Sequence, residues 1–205
     1  MIAGVAQLSL LSAEATGPRP ADLAGMLCGH GRLTGFGRMS ARLSAVLDEP
    51  WRARALAGEL RRRGVQAELA RDEDEQLMLR TAFRADLTAL AAAWGCLAAS
   101  SAKAVPEGFR LDGGTLRLWA LTAGRPVPRG YLLAMDPGAP CTHERLSAAL
   151  CTLGLPNALL GAGSDTPGLR ISGRRRLHTF AELIGEPPRA AEGAWPEIVP
   201  VARAG

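Results

Sequence analysis

Two stretches of the chain place chemistry-bearing side chains directly after apolar runs. Cys28, His30 and Arg32 follow Leu23-Ala24-Gly25-Met26-Leu27, and Arg125 follows Leu118 to Ala123. Histidine exchanges a proton near neutral pH more readily than any other side chain. Arginine presents a rigid fork of donors that suits sulfate, phosphate or carboxylate. If the apolar runs are paired helices, His30 stands near Arg32 and Arg125, since helix C-termini attract cations. The expected chemistry is proton transfer by His30 on a small anion held by Arg32, Arg38, Arg42, Arg80 or Arg125. Cys28 reads as a small buried helix residue. Cys28, Cys96, Cys141 and Cys151 fall in no CxxC or CxxxH spacing, so neither a zinc site nor a disulfide framework is expected, and no cofactor or metal is implied.

The elements that must position these groups come in a repeated order. Residues 20–29 read as a short apolar helix, with Pro20 in its first turn and Gly29 at its end. From Gly31 to Leu47 the pattern alternates. Met39, Ala41, Leu43, Ala45 and Leu47 share one face, and Arg38, Ser40, Arg42 and Ser44 the other, which predicts one half-buried strand. A helix over 49–63 stops at Gly64. A hairpin over 66–71 and 75–83 turns at Asp72-Glu73-Asp74, and 84–94 is helical. After an Ala-, Ser- and Gly-rich linker the order returns. It runs as a helix over 115–123, a strand over 129–135, a helix over 142–153 capped by Thr142, a hairpin over 157–161 and 169–172, and a last helix over 174–184. The expected divisions are 1–96, a first repeat; 97–114, a linker; 115–188, a second repeat; and 189–205, an irregular strap. Mixed helices and antiparallel hairpins indicate an α+β fold with pseudo-twofold symmetry.

The composition is that of a globular chain, 47% apolar and 21% charged over 205 residues. A net charge of +4 is modest for a protein that wraps nucleic acid by charge alone. All but Lys103 of the 24 Lys and Arg residues are arginine, which reflects coding bias as much as any partner. No signal peptide and no membrane-length apolar run is read, so a cytoplasmic protein without a membrane partner is expected. Arg174-Arg175-Arg176 opens the last helix, where the dipole disfavours cations. It is either a solvated run or an anion or DNA contact. Arg61-Arg62-Arg63 is read as a solvated helix end, and His143 and His178 as surface residues.

Leu23-Ala24-Gly25-Met26-Leu27-Cys28-Gly29-His30-Gly31 resembles the signature helix of the LAGLIDADG homing endonucleases. Leu118-Trp119-Ala120-Leu121-Thr122-Ala123-Gly124-Arg125 is similar to the second copy of that helix. The resemblance spans roughly residues 19–188 and extends to the LAGLIDADG-like part of WhiA regulators, without their separate helix-turn-helix domain. It implies a duplicated LAGLIDADG-type fold: two signature helices packed along a pseudo-twofold axis, beneath a saddle of strands that sits over DNA. It also implies one metal-binding acid at each helix end. Here those positions hold His30 and Ala123, and hard divalent cations want carboxylate oxygens. A nuclease-inactive protein is therefore expected. The leading expectation is a scaffold reassigned to bind, and convert by elimination or cyclisation, a small anionic substrate of specialised metabolism. The strand over 130–135, apolar on both faces, suggests a second protein chain covering that half of the saddle. The alternative is a non-cleaving DNA-binding protein or transcriptional regulator that uses the saddle surface.

Overall fold

The computed structural model of the chain describes residues 10–72, 74–97, 102–161, 166–191 and 193–196. Glu73 of the acidic turn, part of the linker and the end of the strap lie outside them. The first half runs α1 (Ala13–Thr16), a 3-10 turn (Pro20–Leu23) leading into α2 (Ala24–Cys28), β1 (Arg32–Phe36), β2 (Ser40–Val46), α3 (Pro50–Arg62), β3 (Ala67–Arg71), β4 (Leu77–Thr81), a 3-10 turn (Ala85–Leu87) and α4 (Thr88–Ala93). The second half runs α5 (Gly113–Ala123), β5 (Gly124–Val127), β6 (Gly130–Ala134), α6 (His143–Thr152), β7 (Asn157–Leu160), β8 (Gly168–Ser172) and α7 (Arg174–Ile184). Each half builds one antiparallel sheet, in the orders β1-β2-β4-β3 and β5-β6-β8-β7. The second order is the first shifted by four strands, so the repeat is a repeat of topology.

Three local expectations are corrected. The single strand over 31–47 is a hairpin, turned at Gly37 with φ 56°. Ala41, Leu43 and Ala45 do face the core, but Met39 lies at the turn and is 75% exposed. The equivalent β5–β6 hairpin leaves little trace in the sequence, because β5 is four residues long and contains Pro126. That proline is tolerated because β5 is an edge strand. Thr142 does not cap α6; its hydroxyl donates to the Ala139 carbonyl at 2.7 Å. A different helix, α5, is capped by a side chain: Asp112 accepts from the Thr115 amide at 2.8 Å, and α5 starts two residues earlier than the sequence predicts.

The centre is the α2–α5 pair. Gly25 faces the Thr115 carbonyl and Leu118, and a methyl group there would collide with the α5 backbone. The close approach buries Met26, Leu27, Leu116, Leu118, Trp119 and Leu121 completely or nearly so. A buried ionic network ties this pair to α3. Arg63 donates to Asp22 at 2.9 Å and to Glu59 at 2.6 Å, and Arg117 of α5 donates to Glu59 at 2.9 Å. Arg63 is thus a buried linchpin and not part of a solvated run. His143 is also buried, with Nε2 at 2.9 Å from the Asp136 carbonyl, and His178 pairs with Glu182 at 3.4 Å.

The covering chain expected over β6 is not needed. Leu132, the large apolar side chain on its outer face, is 6% exposed within this chain alone and packs against Gly168. Exposed apolar side chains concentrate instead in the first half, at Phe36, Met39 and Phe83. Among the described residues no helix is long and apolar enough to cross a membrane.

Candidate functional site

The C-terminal ends of α2 and α5 leave backbone carbonyls without helical partners. Each end is closed by a side-chain cation. The Lys103 ammonium donates to the carbonyls of Gly29 at 2.8 Å and Gly31 at 3.2 Å. The Arg52 guanidinium donates to those of Ala120 at 3.3 Å, Leu121 at 3.1 Å and Gly124 at 2.5 Å. Each cation also pairs with an aspartate, Lys103 with Asp136 at 2.9 Å and Arg52 with Asp48 at 3.0 Å. Asp48 lies two residues beyond β2 and Asp136 two residues beyond β6, so the aspartates occupy equivalent places in the repeat. Lys103 and Arg52 are both buried.

Arg32 and Arg125 are therefore not the cations at the helix ends. They are exposed, Arg32 at the first residue of β1 and Arg125 in β5, on the outer faces of the two sheets. Lys103 and Arg52 were not singled out by the sequence. Two signals point to them: the one lysine in a chain of arginines sits in the linker, and aligning the two repeats superposes Asp48 on Asp136.

His30 is exposed at the junction, but the protein around its ring disfavours the charged form. Desolvation lowers its pKa, and the Lys103 ammonium lowers it further against the opposite pull of Asp136. Asp136 is partly desolvated too, which raises its pKa. The Lys103 hydrogen bond and charge outweigh that and hold it below the usual carboxylate range. At neutral pH the junction thus carries a neutral imidazole beside the Lys103–Asp136 ion pair.

A groove of about 790 Å³ opens over this junction, lined by His30, Asp48 and Arg52, by Val46 of the first sheet, and by Arg125, Leu132 and Ala134 of the second. It joins the outer faces of both sheets into one surface. The first sheet presents Arg32, Thr34 and Phe36 from β1, cross-strand from Ser44, Arg42 and Ser40 of β2. Arg42 lies over the Phe83 ring at 4.2 Å. Arg80 joins this face through its register with Ser44, but its guanidinium donates to Glu68 at 2.8 Å. Arg38 is exposed in the β1–β2 turn. The second sheet presents Arg125, Leu132 and Arg170 side by side. His30 and Arg125 share the groove, whereas Arg32, Arg38, Arg42 and Arg80 lie along the outer face beyond its lining.

The residues at the helix ends do not fit a divalent metal ion. His30 and Ala123 stand where the resemblance implies acids. The nearby carboxylates of Asp48 and Asp136 are already paired with Arg52 and Lys103. Among the described residues no three His, Cys, Asp or Glu side chains gather as a metal-binding group.

No family model and no curated protein matches the chain. Solved structures do. The N-terminal LAGLIDADG domain of DUF199/WhiA is 14% identical with a TM-score of 0.54, over 84% of this chain and 83% of that one. Full-length DUF199/WhiA from Thermatoga maritima is 15% identical with a TM-score of 0.56, and here the chain spans 57% of the longer protein. I-DmoI, solved in complex with DNA and Mn, is 17% identical with a TM-score of 0.51, over 82% of this chain and 97% of that one. The fold is LAGLIDADG-type, with both repeats in one polypeptide.

Proposed function

We propose that the chain binds duplex DNA across the outer faces of its two sheets and does not cut it. The observation that carries this is the distribution of charge. Arg32 and Arg42 on one sheet and Arg125 and Arg170 on the other flank a groove that spans both. Arginine supplies the phosphate contacts that set register and affinity on a duplex. The repeats over 1–96 and 115–188, joined by the linker and closed by the strap, would each lay one sheet on the duplex. I-DmoI, which shares the fold, is solved with DNA and Mn. In this chain tethered cations close the helix ends, and His30 and Ala123 stand where cleavage would need metal-binding acids.

The test is retention of a labelled duplex of mixed sequence by the purified protein in EDTA. Binding that weakens steeply with salt is expected, together with intact DNA after addition of Mg²⁺ or Mn²⁺. No binding at low salt, or robust cleavage, overturns the proposal.

A second reading is favoured by the groove itself. A volume of about 790 Å³ with His30 and Arg125 in its walls suits a small anionic ligand, with His30 as the proton-transfer group. His30→Ala with binding and turnover measured on candidate sulfate and phosphate esters checks it; unchanged turnover removes His30 from that role.

A further inference from the structure

At the outer end of the second sheet, Arg129, Arg170 and Arg174 line a hollow of about 660 Å³ together with Ser172 and Gly130. Among the described residues no carboxylate lines it, and no acidic residue stands in the first turn of α7. The Arg170 Nε is buried without a hydrogen-bond partner. The equivalent place in the first half is built differently. The helical turn that follows β4 carries Asp86, whose carboxylate takes the Arg84 guanidinium at 2.6 and 2.9 Å. One half thus supplies its own negative charge after the last strand of its sheet. The other lines a concavity with three arginines and, among the described residues, with no carboxylate.

Three like charges facing one hollow repel each other, and a bound anion turns that repulsion into attraction. Guanidinium forks are shaped for the oxygens of a tetrahedral oxyanion. We propose that this hollow is a phosphate-binding site. Arg170 and Ser172 lie on the outer face of β8, the face presented to a duplex in the reading above. The phosphate is then a backbone phosphate of that duplex, held at the rim of the second sheet; a free phosphate ester offers the same chemistry. Only the source of the phosphate rests on the DNA-binding reading.

The experiment compares wild type, Arg174→Gln and Arg170→Gln/Arg174→Gln in two arms. One titrates inorganic phosphate calorimetrically. The other follows anisotropy of a labelled duplex between about 50 and 200 mM salt. Saturable phosphate binding is expected in the wild type, weakened at least about tenfold in the double variant, as loss of a charge-assisted contact implies. The slope of log affinity against log salt should shrink by about one per phosphate contact removed. Phosphate bound by the hollow without any duplex binding keeps the site, with a free ester as its ligand, and removes the DNA-binding reading. Duplex binding with unchanged slopes and no saturable phosphate binding keeps that reading and overturns the site. Arg174 is exposed at the first residue of α7. Should the double variant fail to fold, Arg174→Gln decides, and affinity equal to wild type in both arms overturns the site.

Discussion

The two halves of the molecule share a strand order and differ at their outer ends. Around the β1–β2 turn the first half exposes Phe36 at 64% and Met39 at 75%, with Phe36 and Phe83 in ring contact at 5.6 Å. Around the β5–β6 turn the second half exposes Arg129 beside Arg170 and Arg174. The inner faces have stayed alike. Ala41, Leu43 and Leu79 in one sheet, and Tyr131, Leu133 and Leu169 in the other, are all buried. Core packing holds the topology, and the outer ends differ, one carrying aromatic and apolar side chains, the other arginines. The junction shows a third pattern, in which one device is kept with different parts. Each signature helix ends on a cation paired with an aspartate at an equivalent position, but Arg52 comes from α3 and Lys103 from the linker.

The largest effects are expected where that shared device is broken. Lys103→Ala and Arg52→Ala should each destabilise the fold by about 3–5 kcal/mol, because each leaves a charge or several carbonyls without a partner. Chemical denaturation of the two variants checks this, and a near-neutral result for one alone would show that the symmetry of the junction is only geometric. Gly25→Ala should cost about 1–3 kcal/mol by forcing α2 away from α5, readable as a lower midpoint in the same assay.

Acid should then weaken the molecule in two stages. Glu59 and Asp136 are held below the ordinary carboxylate range despite burial, by Arg117 and Arg63 and by Lys103 respectively. As the pH falls, the unfolded chain takes up their protons first. Their contribution is full above a pH of about 4 and is lost as the pH drops through the folded values. His30 has its pKa lowered by desolvation, so a smaller loss begins below a pH of about 6.5. Thermal melts across pH on wild type and His30→Gln separate the stages; the variant should lack the smaller loss that begins below a pH of about 6.5. The smallest stability effect is expected at the divergent tip. Phe36→Ser should stay within about 0.5 kcal/mol of wild type, as an exposed position implies.

The sequence carried the fold because its strongest signals are periodic. The alternation through Ala41, Leu43 and Ala45, the glycine stops at Gly64 and Gly154, and the repeated element order are properties of local segments. The short hairpin strand around Pro126 left no such pattern. Leu132 was misread because an apolar residue on an outer face looks the same whether a partner or its own sheet covers it. The helix-end cations escaped because capping a helix from the linker or from α3 is a long-range contact, with Lys103 lying 74 positions beyond Gly29. Arg63 escaped for the same reason, since its buried partner Asp22 lies 41 residues away.

Duplex binding as a function of salt, measured by anisotropy in EDTA, tests the central claim most directly. With Arg32, Arg42, Arg125, Arg129, Arg170 and Arg174 on phosphates, we expect a slope of log affinity against log salt of about −5, flattening by about one each in Arg42→Gln and Arg125→Gln. A wild-type protein that ignores the duplex at low salt, or a slope near zero that neither variant changes, would contradict it.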